Sequence, residues 1–276
     1  MVVRLLQEAA FYRLPLRVAL MRNVLKRMRG VSYAKRLYYN ALVRPEYGYC
    51  MYNAALLAKA LGYKEISAIE FGVAGGAGLV NIEQHAKEIK KELGVDFQIF
   101  GFDTGSGLPK PEDYRDMPYM WDEGFYPMDQ QRLENRLESA RLVIGDVRET
   151  TINFHGKYSP APIGCIFFDL DYYSSTVGAF KIFDTDPAGY LPRVYCYFDD
   201  VLSEALRASS EYVGVLRAIN EFNENSEDRK IAKIPGLAVS RKVPAYWNEA
   251  MYVFHDFVHP KYCDFIGNQH RNLPLD

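Results

Sequence analysis

The chain has 276 residues, 49% of them hydrophobic and 25% charged, with a formal net charge of −2. That is ordinary globular composition, long enough for one large domain and an appendage, and it carries no bulk bias towards nucleic acid. No apolar run approaches the roughly 18–20 residues a membrane-spanning helix needs, and Arg4, Arg13 and Arg17 interrupt any signal-peptide core.

The charge is unevenly spread. Residues 1–45 hold ten Lys/Arg against one acid, a net +9, which leaves −11 in the remainder. This sets a basic helical extension, 1–45, apart from a main domain, 46–276. Residues 1–30 read as one or two short helices broken at Pro15. Leu20, Val24 and Met28 form one stripe there, and Arg22, Lys26 and Arg29 another. The basic stripe suits a membrane surface or an anionic ligand, or else a solvated face or subunit contact. A helix over 46–62 follows, ending near Gly62. EISAIEFGV reads as a strand, GGAGLVNIEQHAKEIKKEL as a turn and helix, and FQIFGFD as a second strand. Residues 104–128 are irregular and rich in Gly, Pro and aromatics. DQQRLENRLESA reads as helix, ARLVIGD as a third strand and CIFFDLD as a fourth, with a helix over 174–184. VYCYFDD is a fifth strand, followed by a helix over 202–222. LAVSRKV and AMYVFHDF make an antiparallel pair in the tail. Strands with continuous apolar runs alternate with helices, which predicts a doubly wound, mostly parallel α/β sheet covered on both faces.

A strand ending in Glu70, then FGVAGGAG, then a helix is a nucleotide-binding arrangement. Gly72, Gly75, Gly76 and Gly78 let backbone approach a ligand, and the helix aims its N-terminus at the same place. Asp103 ends the next strand, where a ribose-binding acid belongs. The alternative is a turn that merely lets a helix pack on a strand. The dinucleotide fingerprint is incomplete, since GAGLVN from Gly76 lacks the last glycine, and this weighs against nicotinamide binding.

The fourth and fifth strands end in acids: Asp169 and Asp171, then Asp199 and Asp200. A right-handed β-helix-β crossover makes such strands parallel neighbours, about 4.8 Å apart. The four carboxylates then converge at one rim, where they repel unless a cation neutralises them. Hard oxygen ligands select Mg²⁺, Ca²⁺ or Mn²⁺. Strand alternation points Asp169 and Asp171 to the same side. Alternatively, Asp171 caps a helix beginning near Ser174 and Asp200 one beginning near Ser203.

In their order, EFGVAGGAG, GFDTGSGLP, WDEGFYPMDQQRLENRL, FFDLDYYSST and YFDDV resemble the class I S-adenosylmethionine-dependent O-methyltransferases. Within that class they look like the macrocin O-methyltransferase group, from about residue 45 to about 258. The resemblance implies a Rossmann-like sheet of seven strands with the cofactor over the glycine turn. It implies cofactor-binding roles for Glu70, Gly72, Gly76, Asp103 and Asp146, Mg²⁺ ligation by Asp169, Asp199 and Asp200, and Asp171 as general base. The activity implied is methyl transfer from S-adenosylmethionine to a hydroxyl of a sugar or natural-product-like small molecule. Apart from the resemblance, the net charge points to no nucleic-acid partner, the cysteine usage to a cytoplasmic protein and the N-terminal helices to a homo-oligomer. A non-catalytic S-adenosylmethionine binder, working in an assembly through its basic arm, is the alternative from another class.

Three further features carry expectations. Tyr114, Tyr119, Trp121, Phe125 and Tyr126 give the 104–128 segment an aromatic inner face, as a lid over the site or as an Ω-loop packed on itself. His85 reads as a surface residue of its helix. His255 and His259 lie four apart where a strand runs into a loop, with tail packing the main reading and an alternative base at His255. Cys50, Cys165, Cys196 and Cys263 show no C-x-x-C spacing, which points to reduced thiols.

Overall fold

The structure is a computed structural model that describes residues 16–28, 30–202 and 205–267. The segment before Pro15, Arg29 of the basic stripe and Ser203 lie outside the described residues. Helices α1 (Leu16–Arg27), α2 (Tyr33–Tyr38) and α3 (Pro45–Ala60) lead into strand β1 (Glu65–Phe71). Then come α4 (Ala77–Leu93), β2 (Asp96–Asp103), α5 (Gln130–Glu134), β3 (Arg141–Ile144), α6 (Val147–Thr150), α7 (Phe154–Tyr158) and β4 (Ile163–Phe168). The chain closes with α8 (Tyr173–Phe180), β5 (Tyr190–Phe198), α9 (Gly214–Asn225), β6 (Arg229–Lys233), α10 (Leu237–Ser240) and β7 (Met251–Asp256). Among the described residues no helix is long and apolar enough to cross a membrane.

All seven strands form one sheet in the order β3-β2-β1-β4-β5-β7-β6. The first five are parallel, and β7 runs antiparallel between β5 and β6. The chain winds outward from β1 to β3, then returns to β4 on the other side of β1. That reversal opens a crevice at the carboxyl ends of β1 and β4, the place where open α/β sheets bind ligands.

Strand alternation divides the core in two. Cys165 and Phe167 of β4 join α3 and α4 on one face, while Ile166 and Phe168 join α8 and α9 on the other. Full burial of a side chain such as Phe168 contributes about 2 kcal/mol of transfer free energy. Helix α4 forms because Leu79, Ile82, His85 and Ile89 recur at helical spacing on its buried face; Gly76 caps it and Gly94 ends it, both at positive φ.

The tail pairing differs from the sequence reading. AMYVFHDF does contain β7, but its partner is β6, with Ile231 opposite Phe254. LAVSRKV instead begins with the short helix α10, because Gly236 at φ +68° starts a helical turn and only Leu237 of α10 is buried. Val239 points to solvent at 90% exposure. The helix expected over 202–222 begins only at Gly214, and a 3₁₀ turn covers Asp199–Val201. The helix expected over 129–140 is limited to α5, five residues long.

Candidate active-site cleft

One register places the whole rim. Phe71, Phe102, Phe168 and Phe198 are mutual partners across β2, β1, β4 and β5. Their rings pack as a row, with Phe168 and Phe198 stacked at 4.4 Å between centroids and Phe71 and Phe102 at 4.7 Å. The next residue on each strand is Gly72, Asp103, Asp169 or Asp199, so the aromatic row forms the floor on which the polar rim stands. All four rim residues line a cleft of about 320 Å³, near the low end of the roughly 300–1,000 Å³ common for small-ligand sites.

Backbone shapes the half of the cleft at β1 and β2. Gly72 sits at φ +81°, and a Cβ there would stand 1.7 Å from the Asp169 carbonyl oxygen. Asp103 holds the turn: Oδ2 accepts the N–H groups of Val73 and Ala74, both at 2.9 Å, and Oδ1 accepts that of Gly105 at 2.7 Å. Ala74 keeps a positive φ of 44° under those bonds. Asp103 therefore braces the turn, and of its roughly four acceptor sites it keeps one for a ligand. Glu70 and Gly76 lie behind the turn instead of on the cleft. Glu70 is buried and its Oε1 accepts the Tyr47 hydroxyl at 2.8 Å; burial pushes its carboxyl up to about 7. Gly76 makes room for Leu133 of α5, which a Cβ would meet at 2.1 Å. Asp146 lines the cleft and caps α6, and Arg148 clasps it and holds its carboxyl below the usual range.

Charge shapes the half at β4 and β5. The strand stops at Phe168, so alternation does not orient Asp171. A turn with Asp171 at φ 59° carries it into the wall, an uncommon backbone state that Asp tolerates and that recurs at functional sites. Asp171 caps no helix; Tyr172 takes the N-cap position of α8. The carboxylates do converge. Burial, then Asp200, Asp199 and Asp171, push Asp169 well up. Burial and the hydrogen-bonded Asp200 carboxyl push Asp171 up to about 8. Asp200 is buried; its Oδ2 accepts the backbone N–H of Asp171 at 3.0 Å and its Oδ1 pairs with Arg207 Nη1 at 2.9 Å. Asp199 is exposed and accepts the Tyr197 hydroxyl.

The 104–128 segment covers the cleft with three of its five expected aromatics: Trp121, Phe125 and Tyr126. Tyr114 and Tyr119 face outward at 68% and 60% exposure. Paired bonds between Leu108 and residues 124–125 close the segment, and buried Asp116 ties it to α8 by accepting from Ser174 N at 2.8 Å and Ser174 Oγ at 2.9 Å. Asp116 and Arg207 escape sequence reasoning, since both act across more than one element. The recurring Phe before each rim residue was a signal in plain view.

His85 is buried, not a surface residue: its Nδ1 meets the Tyr33 hydroxyl at 2.7 Å and its Nε2 the Val43 carbonyl at 3.1 Å. His255 pairs across from Arg193, early in β5, so it stands at the edge of the sheet opposite the acid rim and cannot serve as a base there. It bonds the Tyr262 hydroxyl at 2.9 Å.

No protein-family model and no curated protein matches the sequence. Among solved structures the chain is similar to the calicheamicin methyltransferase CalS11, with a TM-score of 0.51 at 18% identity over 87% of this chain and 91% of that one. The O-methyltransferase NovP gives 0.46 at 12% identity over 76% and 79%. TomG from Streptomyces achromogenes, an O-methyltransferase of tomaymycin synthesis solved with SAM, gives 0.41 at 13% identity over 77% and 79%. The chain has the Rossmann-like methyltransferase fold.

In this methyltransferase fold the backbone half of the cleft fits a nucleoside. Gly72, Ala74, Thr104 and Val147 give close, mostly apolar walls, Asp103 and Asp146 give acceptors, and the N-terminus of α4 carries no side-chain cap. The expected Mg²⁺ set does not fit as it stands. Mg²⁺ demands a near-octahedral shell of oxygens, yet both oxygens of Asp200 are engaged, one by a guanidinium. Among the described residues no three His, Cys, Asp or Glu side chains are grouped to hold a metal.

Proposed function

We propose that the chain is an S-adenosylmethionine-dependent O-methyltransferase acting on a hydroxyl of a sugar or natural-product-like small molecule. One observation carries this reading: a single strand register sets a nucleoside-sized backbone cradle at Gly72 and Asp103 directly beside a buried, strained Asp171 in an acidic wall. The named activity of CalS11, a methyltransferase of the same fold, supports it. In this reading the protein works in the cytoplasm and self-associates through its basic N-terminal extension, where Leu20, Met21, Val24 and Met28 of that extension remain exposed.

Gly72, Ala74, Asp103, Thr104, Asp146 and Val147 would hold S-adenosylmethionine, which when bound supplies an electrophilic methyl on a sulfonium. The chain's own groups do the rest. Asp171 takes the hydroxyl proton at a carboxylate oxygen; its raised pKa suits it to that role, since proton transfer works best when the base titrates near the working pH. Trp121, Phe125 and Tyr126 exclude water from the wall. The aromatic floor and the Asp116–Ser174 anchor hold acceptor and lid in one geometry, and such positioning supplies much of the remaining rate.

The test is transfer of labelled methyl from S-adenosylmethionine to a panel of sugar and polyketide hydroxyls. Asp171→Asn is expected to keep nucleoside binding and to lower turnover by roughly 10²- to 10⁴-fold, the range of general-base contributions. Full turnover in Asp171→Asn would remove it from the base role; absence of transfer to every acceptor, with nucleoside binding intact, would favour a pure binder.

A further inference from the structure

We propose that Arg207 is the resident cation of the acid cluster: its guanidinium, and not a divalent ion, stands against the acids that follow β4 and β5 and faces the acceptor in the cleft. Two contacts hold the side chain and a third holds its backbone. Nη1 pairs with Asp200 Oδ1 at 2.9 Å. The guanidinium lies over the Trp121 ring at 5.2 Å. The Tyr119 hydroxyl donates to the Arg207 carbonyl at 3.0 Å, tying the same residue to the lid. Arg207 is 8% exposed and lines the cleft, and its Nε is buried without a hydrogen-bond partner.

Asp171 and Asp200 are buried and Asp169 is close beside them. Carboxylates so gathered take up protons or pair with a positive charge, and Asp200 pairs with Arg207. A guanidinium stays protonated across the working pH range, stacks on an aromatic ring and donates several N–H groups in a fixed fork. A divalent ion would need the Asp200 oxygen that Arg207 already holds. The helix expected over 202–222 begins only at Gly214, and Arg207, ahead of it, pairs with Asp200 at the rim. The part of the guanidinium that lines the cleft is then the donor available to the acceptor's oxygen; that clause alone rests on the transferase reading.

Mn²⁺ titrated into the full-length chain, with the free aquo ion followed by electron paramagnetic resonance, needs neither nucleoside nor acceptor. Wild type is expected to leave the Mn²⁺ signal as it is in buffer. Arg207→Ala is expected to take up one ion per chain and to lose that uptake when Asp200→Asn is added. Arg207→Lys, which keeps a cation in place, is expected to take up none. Uptake by wild type that Asp200→Asn removes overturns the proposal, as does a folded Arg207→Ala chain that takes up nothing. If Arg207→Ala does not fold, the wild-type and Arg207→Lys titrations still decide. Turnover gives a second readout: chelator-treated wild type is expected to keep its rate, and a loss restored by Mg²⁺ overturns the inference. Failure to find any methyl acceptor would sink the transferase reading and leave the ion titration standing.

Discussion

At the ends of β1 and β2 the cleft is shaped by backbone: a glycine at positive φ, a carbonyl passing where a Cβ would be, and an aspartate whose oxygens are occupied by three N–H groups. At the ends of β4 and β5 it is shaped by charge: two buried carboxylates, a third beside them, and one arginine from the chain just past β5. The two halves share one floor of stacked Phe rings, yet they tolerate change differently. Backbone geometry is local and stiff, and losing it removes the turn. Charge compensation is exchangeable, so another cation can substitute at the same rim.

Substitutions can separate the halves. Gly72→Ala, which sets a Cβ against the Asp169 carbonyl at a positive φ, is expected to cost at least about 4 kcal/mol of stability and to abolish nucleoside binding, read by thermal melting and calorimetry. An unchanged melt would show that the turn is softer than described. The bracing behind α4 gives the next effect. Burial lowers His85 to about 4 from an unfolded value of about 6.5. Between those values the unfolded chain binds the extra proton, so stability is full above about pH 6.5 and falls by up to about 3 kcal/mol as pH drops towards 4. His85→Gln is expected to flatten that limb of the denaturant midpoint against pH; an unaltered slope would assign it to other groups. Asp116→Ala, which frees the amide and hydroxyl of Ser174, is expected to loosen the lid by about 2 kcal/mol. Limited proteolysis within 104–128 should then accelerate while the nucleoside affinity holds. Equal proteolysis in both chains would remove Asp116 as the anchor.

The fold was legible because its signals are local. Continuous apolar strands, the glycine turn and the alternation with helices give the parallel sheet, and the residues ending each strand fall at one rim. Where the reading failed, a non-local contact had decided. RKIAK is too polar to announce β6, and it becomes a strand only because Ile231 finds Phe254 on β7. His85 sits on a helix face that looks amphipathic in sequence, and α2 buries it through the Tyr33 hydroxyl. The acids expected at one rim do line one cleft: strand order places Asp169 and Asp199, but Asp171 arrives through a turn at positive φ and Asp200 through a 3₁₀ turn that strand alternation does not describe. Their cation was not legible: Arg207 lies seven residues past Asp200, within sequence that reads as helix, and nothing in its spacing marks it. Glu70 and Gly76 were expected on the ligand and instead support the turn from behind.

Calorimetry of S-adenosylhomocysteine against the full-length protein tests the central claim most directly. One nucleoside per chain is expected, bound by wild type and lost in Gly72→Ala, with no heat from NAD at the same concentration. Absence of nucleoside binding by wild type, or binding of NAD in its place, would contradict it.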